Sequence, residues 1–303
     1  MELVAATKMR RAQETAINSR SYAFTALEML ANVVEALSAQ GMDLSSVPLL
    51  KNPEVKTRAI LLVTSDKGLA GTFNSAVFRK YEQFERENPD ALSGSGSRPE
   101  RREKFIVIAV GQKAEDYAKR RGLAVAKSFT RQSDTMNPNE TAAIGDFLIH
   151  GFVSGQWDSV TVFSTNFVSA LKQEAVHREL LPIKFDKVRE TVDSIIPKTG
   201  RYSNLRKSIE TSRPSKPIEY IIEPSPAAAL EKLVPALLNM QIYHIVLESN
   251  ASEHSARRMA MKNASDNAKE LTDELTTIFN RVRQEKITSE ILEITGGARA
   301  LNG

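Results

Sequence analysis

At 303 residues, with 41% hydrophobic and 26% charged side chains, the chain can bury a core and form one or two domains, which excludes a minimal module and disorder by composition. Lys and Arg total 41 against 37 for Asp and Glu, and a net charge of +4 is far from the lopsided balance of an obligate nucleic-acid binder. No cysteine is present, so a disulfide scaffold, a thiolate metal site and a cysteine nucleophile are all excluded. Residues 1–11 lack the apolar stretch of a secretory signal, and no window reaches the roughly 18 apolar residues of a membrane span. Any membrane role is expected to run through a partner.

Residues 1–40 contain neither Gly nor Pro, and they carry a heptad. Ala5, Met9, Ala12, Ala16, Ser19, Ala23, Ala26, Leu30, Val33 and Leu37 follow alternating steps of four and three, which predicts a helix with a narrow coiled-coil seam. A seam made mostly of Ala lets a partner backbone come close. Gly41 offers a stop, and residues 43–48 read as loop.

Residues 41–235 hold every Pro and nearly all the Gly, and there strand and helix patterns alternate. Residues 59–64 (AILLVT) form a buried-strand run, followed by a polar turn and a helical pattern over 74–87. Residues 105–110 (FIVIAV) repeat the strand, with a helix over 113–121. A further helix is predicted over 141–153 and a further strand over 160–164, while 168–180 reads equally as helix or strand. Residues 88–102, with Ser93-Gly94-Ser95-Gly96-Ser97 and three Arg, read as a surface loop. This alternation predicts an α/β layer on a mostly parallel sheet.

Residues 236–295 again lack Gly and Pro. Ala264, Ala268, Leu271, Leu275, Ile278 and Val282 keep the four-three rhythm. Ile287, Ile291, Ile294 and Ala298 resume it in a shifted register, so the seam rotates near Glu285. Gly296 and Gly297 are expected to end the helix. At ~1.5 Å per residue this helix spans about 90 Å, whereas a compact chain of this size has a diameter of about 50 Å. It must protrude. An antiparallel N-terminal helix covers only about half of it, so Leu271, Leu275, Ile278 and Val282 need residues from elsewhere.

Catalytic chemistry is not visible. The turn Ser65-Asp66-Lys67-Gly68-Leu69-Ala70-Gly71-Thr72 follows the first strand and could cradle phosphate with backbone amides, but it lacks both the P-loop ending and the three-glycine dinucleotide spacing. A tight turn with helix capping is the simpler reading. His150, His177, His244 and His254 have no metal spacing and read as surface or seam residues. Lys8, Arg10, Arg11 and Arg20 on the first helix, and Arg257, Arg258, Lys262, Arg281, Arg283 and Lys286 on the last, form either a solvated face or a track for acidic partners. Interleaved Glu253, Asp266, Glu270, Asp273 and Glu274 disfavour a basic-zipper DNA reader.

At the two terminal helices the motifs become specific. The run from Ile287 through Thr288, Glu290 and Glu293 to Gly297, Ala298 and Ala300 resembles the signature of the gamma subunits of F-type ATP synthases. Residues 251–257 (ASEHSAR) and 261–268 (MKNASDNA) resemble the same family's C-terminal helix, residues 4–12 (VAATKMRRA) its N-terminal helix, and residues 64–74 (TSDKGLAGTFN) its first strand and turn. Ala70 and Thr72 stand where the family more often has Cys and Gly.

The resemblance implies an α/β fold in which the N-terminal helix (1–42) and the C-terminal helix (226–299) form an antiparallel coiled coil on a central Rossmann-like domain (54–224). It implies a rotor that turns inside a ring of alternating alpha and beta subunits, with the domain and the epsilon subunit seated on the membrane c-ring. Proton flow would turn the shaft and drive the catalytic sites on beta, so this chain would be non-catalytic and hold no cofactor or metal. Carried over by position, Lys8, Arg10, Arg283, Gln284 and Thr288 would contact the alpha and beta ring, and Tyr220 and Glu223 the c-ring and epsilon. The implied place is the cytoplasmic face of a bacterial plasma membrane. Family members usually begin earlier, so a helical segment of about 20 residues, about 30 Å long, is expected ahead of the position matching Met1. Thiol control is not expected without cysteine. The competing reading is a homodimeric coiled-coil protein whose α/β domain binds a phosphorylated ligand at Gly68 and Gly71.

Overall fold

The computed structural model describes residues 2–15, 33, 48–88, 104–130, 138–169, 171–183 and 225–302. Residues 2–15 form α1 and are followed, after a short 3-10 turn at Pro48–Leu50, by β1 (Thr57–Val63), α2 (Phe73–Glu87), β2 (Lys104–Val110), α3 (Gln112–Arg120), β3 (Val125–Phe129), α4 (Pro138–Val153), β4 (Ser159–Phe167), β5 (Gln173–Leu181) and α5 (Pro226–Asn302). The predicted loop over 88–102 lies outside the described residues apart from Asn88, as does most of the N-terminal seam.

The five strands form one sheet in the order β3-β2-β1-β4-β5. The first four are parallel, and β5 joins β4 antiparallel. Within the ambiguous stretch over 168–180, the part from Gln173 on is therefore a strand at the sheet edge. Sequence reading passed over β3, because VAKSF is short and half-exposed and carries no apolar run.

Side-chain alternation sorts the sheet into two cores. Ala59, Leu61, Val63, Ile108, Val110, Val160 and Val162 face α4 and the first part of α5. Ile60, Leu62, Val107, Ala109 and Phe163 face Val77 and Tyr81 of α2 and Ala114, Tyr117 and Ala118 of α3. Both faces are covered, which is why β1 and β2 read as continuous apolar runs. Between α2 and α3, Tyr117 donates to Glu82 at 2.9 Å and Arg121 meets Glu85 at 2.7 Å.

The last helix is longer than expected, at 77 residues or about 115 Å. Ser225 caps it by accepting from the Ala228 amide at 3.3 Å, with Pro226 at the first helical position. Pro235 lies inside it without ending it, because neighbouring Val234, Leu237 and Leu238 are buried in the core and hold that turn in place. The expected stop at Gly296 and Gly297 is not observed. Neither glycine takes a positive φ, and the helix runs on to Asn302. Two interior glycines cost about 1 kcal/mol each, too little to break a helix already propagating through Ile294 and Thr295 and on into Ala298.

Beside this helix lies α1. Ala5, Met9 and Ala12, three positions of the predicted seam, are buried, and Glu2 approaches Arg258 at 4.0 Å. Val33, a later seam position, joins the core cluster containing Leu230, Val234 and Leu237. The two helices are thus antiparallel.

Gly151 of α4 sits against the Trp157 ring, where an added Cβ would lie 1.9 Å from Cζ2. Trp157 is fully buried, and its indole donates to the Leu148 carbonyl at 3.1 Å, so the ring cannot retreat freely. Gly151→Ala is expected to destabilise the chain by about 1–3 kcal/mol, read as a lowered urea midpoint at unchanged slope.

Candidate functional site

Two surfaces hold the residues singled out by sequence, and α5 connects them. The first is the shaft beyond Met261. Leu271, Leu275, Ile278, Val282, Ile287, Ile291 and Ile294 continue both registers of the seam and are 48 to 72% exposed, as the length arithmetic required. Phe279 and Leu292 add exposed apolar surface beside them. Arg283, Gln284 and Thr288 are exposed on this part of the helix. Gln284 and Thr288, four residues apart, share a face, and the Thr288 hydroxyl donates to the Gln284 carbonyl at 2.8 Å. Arg281 pairs with Glu285 at 3.0 Å, while Arg283 points elsewhere around the helix.

The second surface is the elbow where the shaft meets the α/β domain. Lys8 lines a cavity of about 410 Å³ there, together with Asp66, Lys67, Glu253, His254 and Arg257. Arg10 is exposed and pairs with Glu14 at 3.1 Å. Lys8 and Arg10 are therefore not beside Arg283, Gln284 and Thr288. Their level on α5 is near Arg257, about 40 Å down the helix from Gln284. Tyr220 and Glu223, expected at the foot, lie outside the described residues.

The glycine-bearing turn after β1 belongs to this elbow, and its polar groups are engaged internally. Ser65 donates its amide to Asn74 Oδ1 at 3.0 Å and its hydroxyl to the Lys67 carbonyl at 2.7 Å. Asp66 accepts from the Gln112 amide at 2.9 Å, so it is α3 that this turn caps. Thr72, at the start of α2, makes no side-chain cap. An anion at the N-terminus of α3 is already supplied, by the chain's own carboxylate.

Gly71 takes a left-handed φ of 56°, and the position its Cβ would occupy is 3.7 Å from the Ala260 Cβ and 3.9 Å from the Ala256 carbonyl oxygen. Gly71 thus stands against α5, whereas Gly68 lines the adjoining cavity. In the adjoining cavity, Lys8, Lys67 and Arg257 share the lining with Asp66 and Glu253.

Arg257 was read from sequence as part of either a solvated basic face or a track for acidic partners, and the structure engages it within the chain instead. Its side chain is largely buried, paired with Glu253 at 2.6 Å. Its guanidinium donates to the Lys67 carbonyl at 3.3 Å and to the Gly68 carbonyl at 3.3 and 3.4 Å. It also lies 3.4 Å from His254 Nδ1. Since a guanidinium only donates, Nδ1 is the accepting nitrogen. Arg257 ties the shaft to the turn. The spacing of Glu253 and Arg257, one helical turn apart amid Ala and Ser, was the signal available in sequence. Of the four histidines, His150 and His177 are exposed and His244 and His254 are buried on α5; among the described residues no cluster is arranged to hold a metal ion.

Arg257→Met keeps the apolar stem and removes these bonds, the ion pair with Glu253 included. The expected loss is about 1.5–3 kcal/mol of unfolding free energy, measured by urea denaturation.

The sequence matches the ATP synthase family over residues 1–301. The ATP synthase gamma chain of Synechococcus sp. (strain ATCC 27144) is 37% identical, with all of this chain and 93% of the relative covered. That of Chlorobium phaeobacteroides is 34% identical over all of this chain and 92% of the relative. Among solved structures, the central stalk and c-ring of Tetrahymena thermophila mitochondrial ATP synthase matches with a TM-score of 0.58 at 22% identity, covering 88% of this chain and 97% of that one. The Euglena gracilis mitochondrial enzyme, in a structure of OSCP, F1 and c-ring, matches at 0.53 and 18% identity, covering 98% and 95%. An α/β domain carrying a bare helical shaft, with relatives of this closeness over its whole length, places the chain in the ATP synthase gamma chain family.

Proposed function

We propose that the chain is the central-stalk rotor subunit of an F-type ATP synthase, coupling proton flow through a c-ring to conformational change at catalytic sites on beta subunits. The observation that carries this is the apolar seam from Leu271 to Ile294, exposed on a helix that runs on for about 60 Å beyond Met261. A single helix with such a seam is an incomplete structure, and a surrounding ring of subunits completes it. The partners are alpha and beta around the shaft, and epsilon and the c-ring at the foot.

The subunit itself is non-catalytic; ATP is made on beta. Arg283, Gln284 and Thr288 meet the inner loops of the ring high on the shaft, and Lys8 and Arg10 meet acidic beta loops about 40 Å lower. Tyr220 and Glu223 serve the foot. The segments 1–42 and 226–299 act as the shaft and 54–224 as the domain that seats it. No helix among the described residues is long and apolar enough to cross a membrane, so attachment runs through the complex, at the cytoplasmic face of a bacterial plasma membrane.

Co-expression with alpha and beta from the same organism tests this. The chain is expected to copurify with them as an ATP-hydrolysing complex. Combined Arg283→Ala and Gln284→Ala is expected to weaken its retention by about tenfold or more, one decade per 1.4 kcal/mol. A stable homodimer that ignores alpha and beta would overturn the proposal.

A further inference from the structure

The cavity at the elbow lies at the carboxyl ends of β1 and β2, beside α1 and α5. Its volume of about 410 Å³ gives room for about a dozen water-sized groups at ~30 Å³ each, within the range of small-molecule sites. The inner wall is apolar: Val63, Val110 and Val246 line it and are at most 2% exposed. Val4 and Leu69 line it as well but remain 55% and 66% exposed, so they form its rim.

Leu69 is held at a left-handed φ of 63°. That backbone is unfavourable for a bulky side chain, and a glycine would take it without strain. It is held from outside, because Arg257 donates to the two carbonyls just before it, those of Lys67 and Gly68. Strain of this kind gathers at ligand clamps. Here it keeps an apolar side chain at the mouth of an apolar cavity.

The charges of the lining are Lys8, Lys67 and Arg257 against Asp66 and Glu253, an excess of one cation. Both carboxylates have work within the chain: Asp66 accepts from the Gln112 amide at 2.9 Å, and Glu253 pairs with Arg257 at 2.6 Å. The Lys67 side chain is exposed and makes no ion pair among the described residues. One excess cation suits a carboxylate, with a single charge, better than a phosphate ester, with nearly two.

We propose that the elbow cavity is a binding site for a small organic carboxylate with an apolar body, seated between α1, α5 and the turn after β1. The body lies against Val63, Val110 and Val246, Leu69 covers it at the mouth, and the carboxylate meets the Lys67 ammonium. A molecule that touches all three elements fastens the shaft to the domain. The site belongs to this chain alone and does not rest on the rotor reading.

The probe is 2-naphthoate, a rigid apolar body with one carboxylate, titrated into the full chain by calorimetry. A dissociation constant of about 1 mM or lower is expected, with a melting temperature that rises with probe concentration. The neutral 2-naphthamide is expected to bind about threefold or more weakly, and inorganic phosphate, which has no apolar body, about tenfold or more weakly. Lys67→Gln is expected to weaken naphthoate binding about threefold to fivefold. Leu69→Gly is expected to weaken it about threefold or more while the unliganded melting temperature stays level or rises, since the backbone strain is relieved. Leu275→Gln, on the bare seam, is expected to leave binding unchanged.

Naphthamide binding as tightly as naphthoate would overturn the proposal. So would naphthoate binding that either Lys67→Gln or Leu69→Gly leaves intact, or that Leu275→Gln abolishes, because the probe would then sit elsewhere on the chain. The absence of both heat and a melting shift up to about 10 mM probe would overturn it as well.

Discussion

Burial of one face of α5 against the sheet carries everything else in the structure. Leu230, Val234, Leu237, Leu238, Ile242, Ile245 and Val246 recur at helical spacing and are buried in the core with α4, β1 and β4. Each such side chain contributes about 1.5–3 kcal/mol when removed from water. That is enough to root a helix of about 115 Å in a domain less than half as long. Beyond Met261 the same helix has no such support within the described residues, yet its apolar periodicity continues. The chain is a root and a shaft made of one element, with the elbow between them.

The elbow explains a motif that resembled a ligand site. In an open α/β sheet, the carboxyl ends of the strands are where ligands usually bind. Here Gly71 brings the turn after β1 against Ala256 and Ala260, Asp66 caps α3, and Arg257 holds the carbonyls of Lys67 and Gly68. At these strand ends the turn is fastened to a helix. Glycine serves the left-handed backbone at position 71, and the arginine serves attachment.

Long-period patterns were legible in the sequence, and single contacts were not. The Gly- and Pro-free ends and the heptads announced both terminal helices. The run AILLVT, its partner FIVIAV and the length of the last helix gave the parallel sheet and the protruding shaft. β3 was missed because a half-exposed edge strand such as VAKSF has no periodic signature. Gly296 and Gly297 were read as a stop because local propensity favours one, but a long cooperative helix absorbs that cost. Arg257 and Glu248 were invisible as buried groups, since a charge in sequence carries no sign of what faces it. Lys8 and Arg10 could be assigned to the shaft, but their separation from Gln284 required the antiparallel placement of α1 on α5.

The central claim is mechanical: root, elbow and shaft turn as one body inside a ring. The most direct measurement fixes the alpha and beta ring to a surface, attaches a bead to the α/β domain of this chain, and records bead orientation on adding ATP. The account predicts sustained rotation in one direction that stops when ATP is exhausted. A ring that hydrolyses ATP at an undiminished rate while the bead only fluctuates about a fixed angle would contradict it.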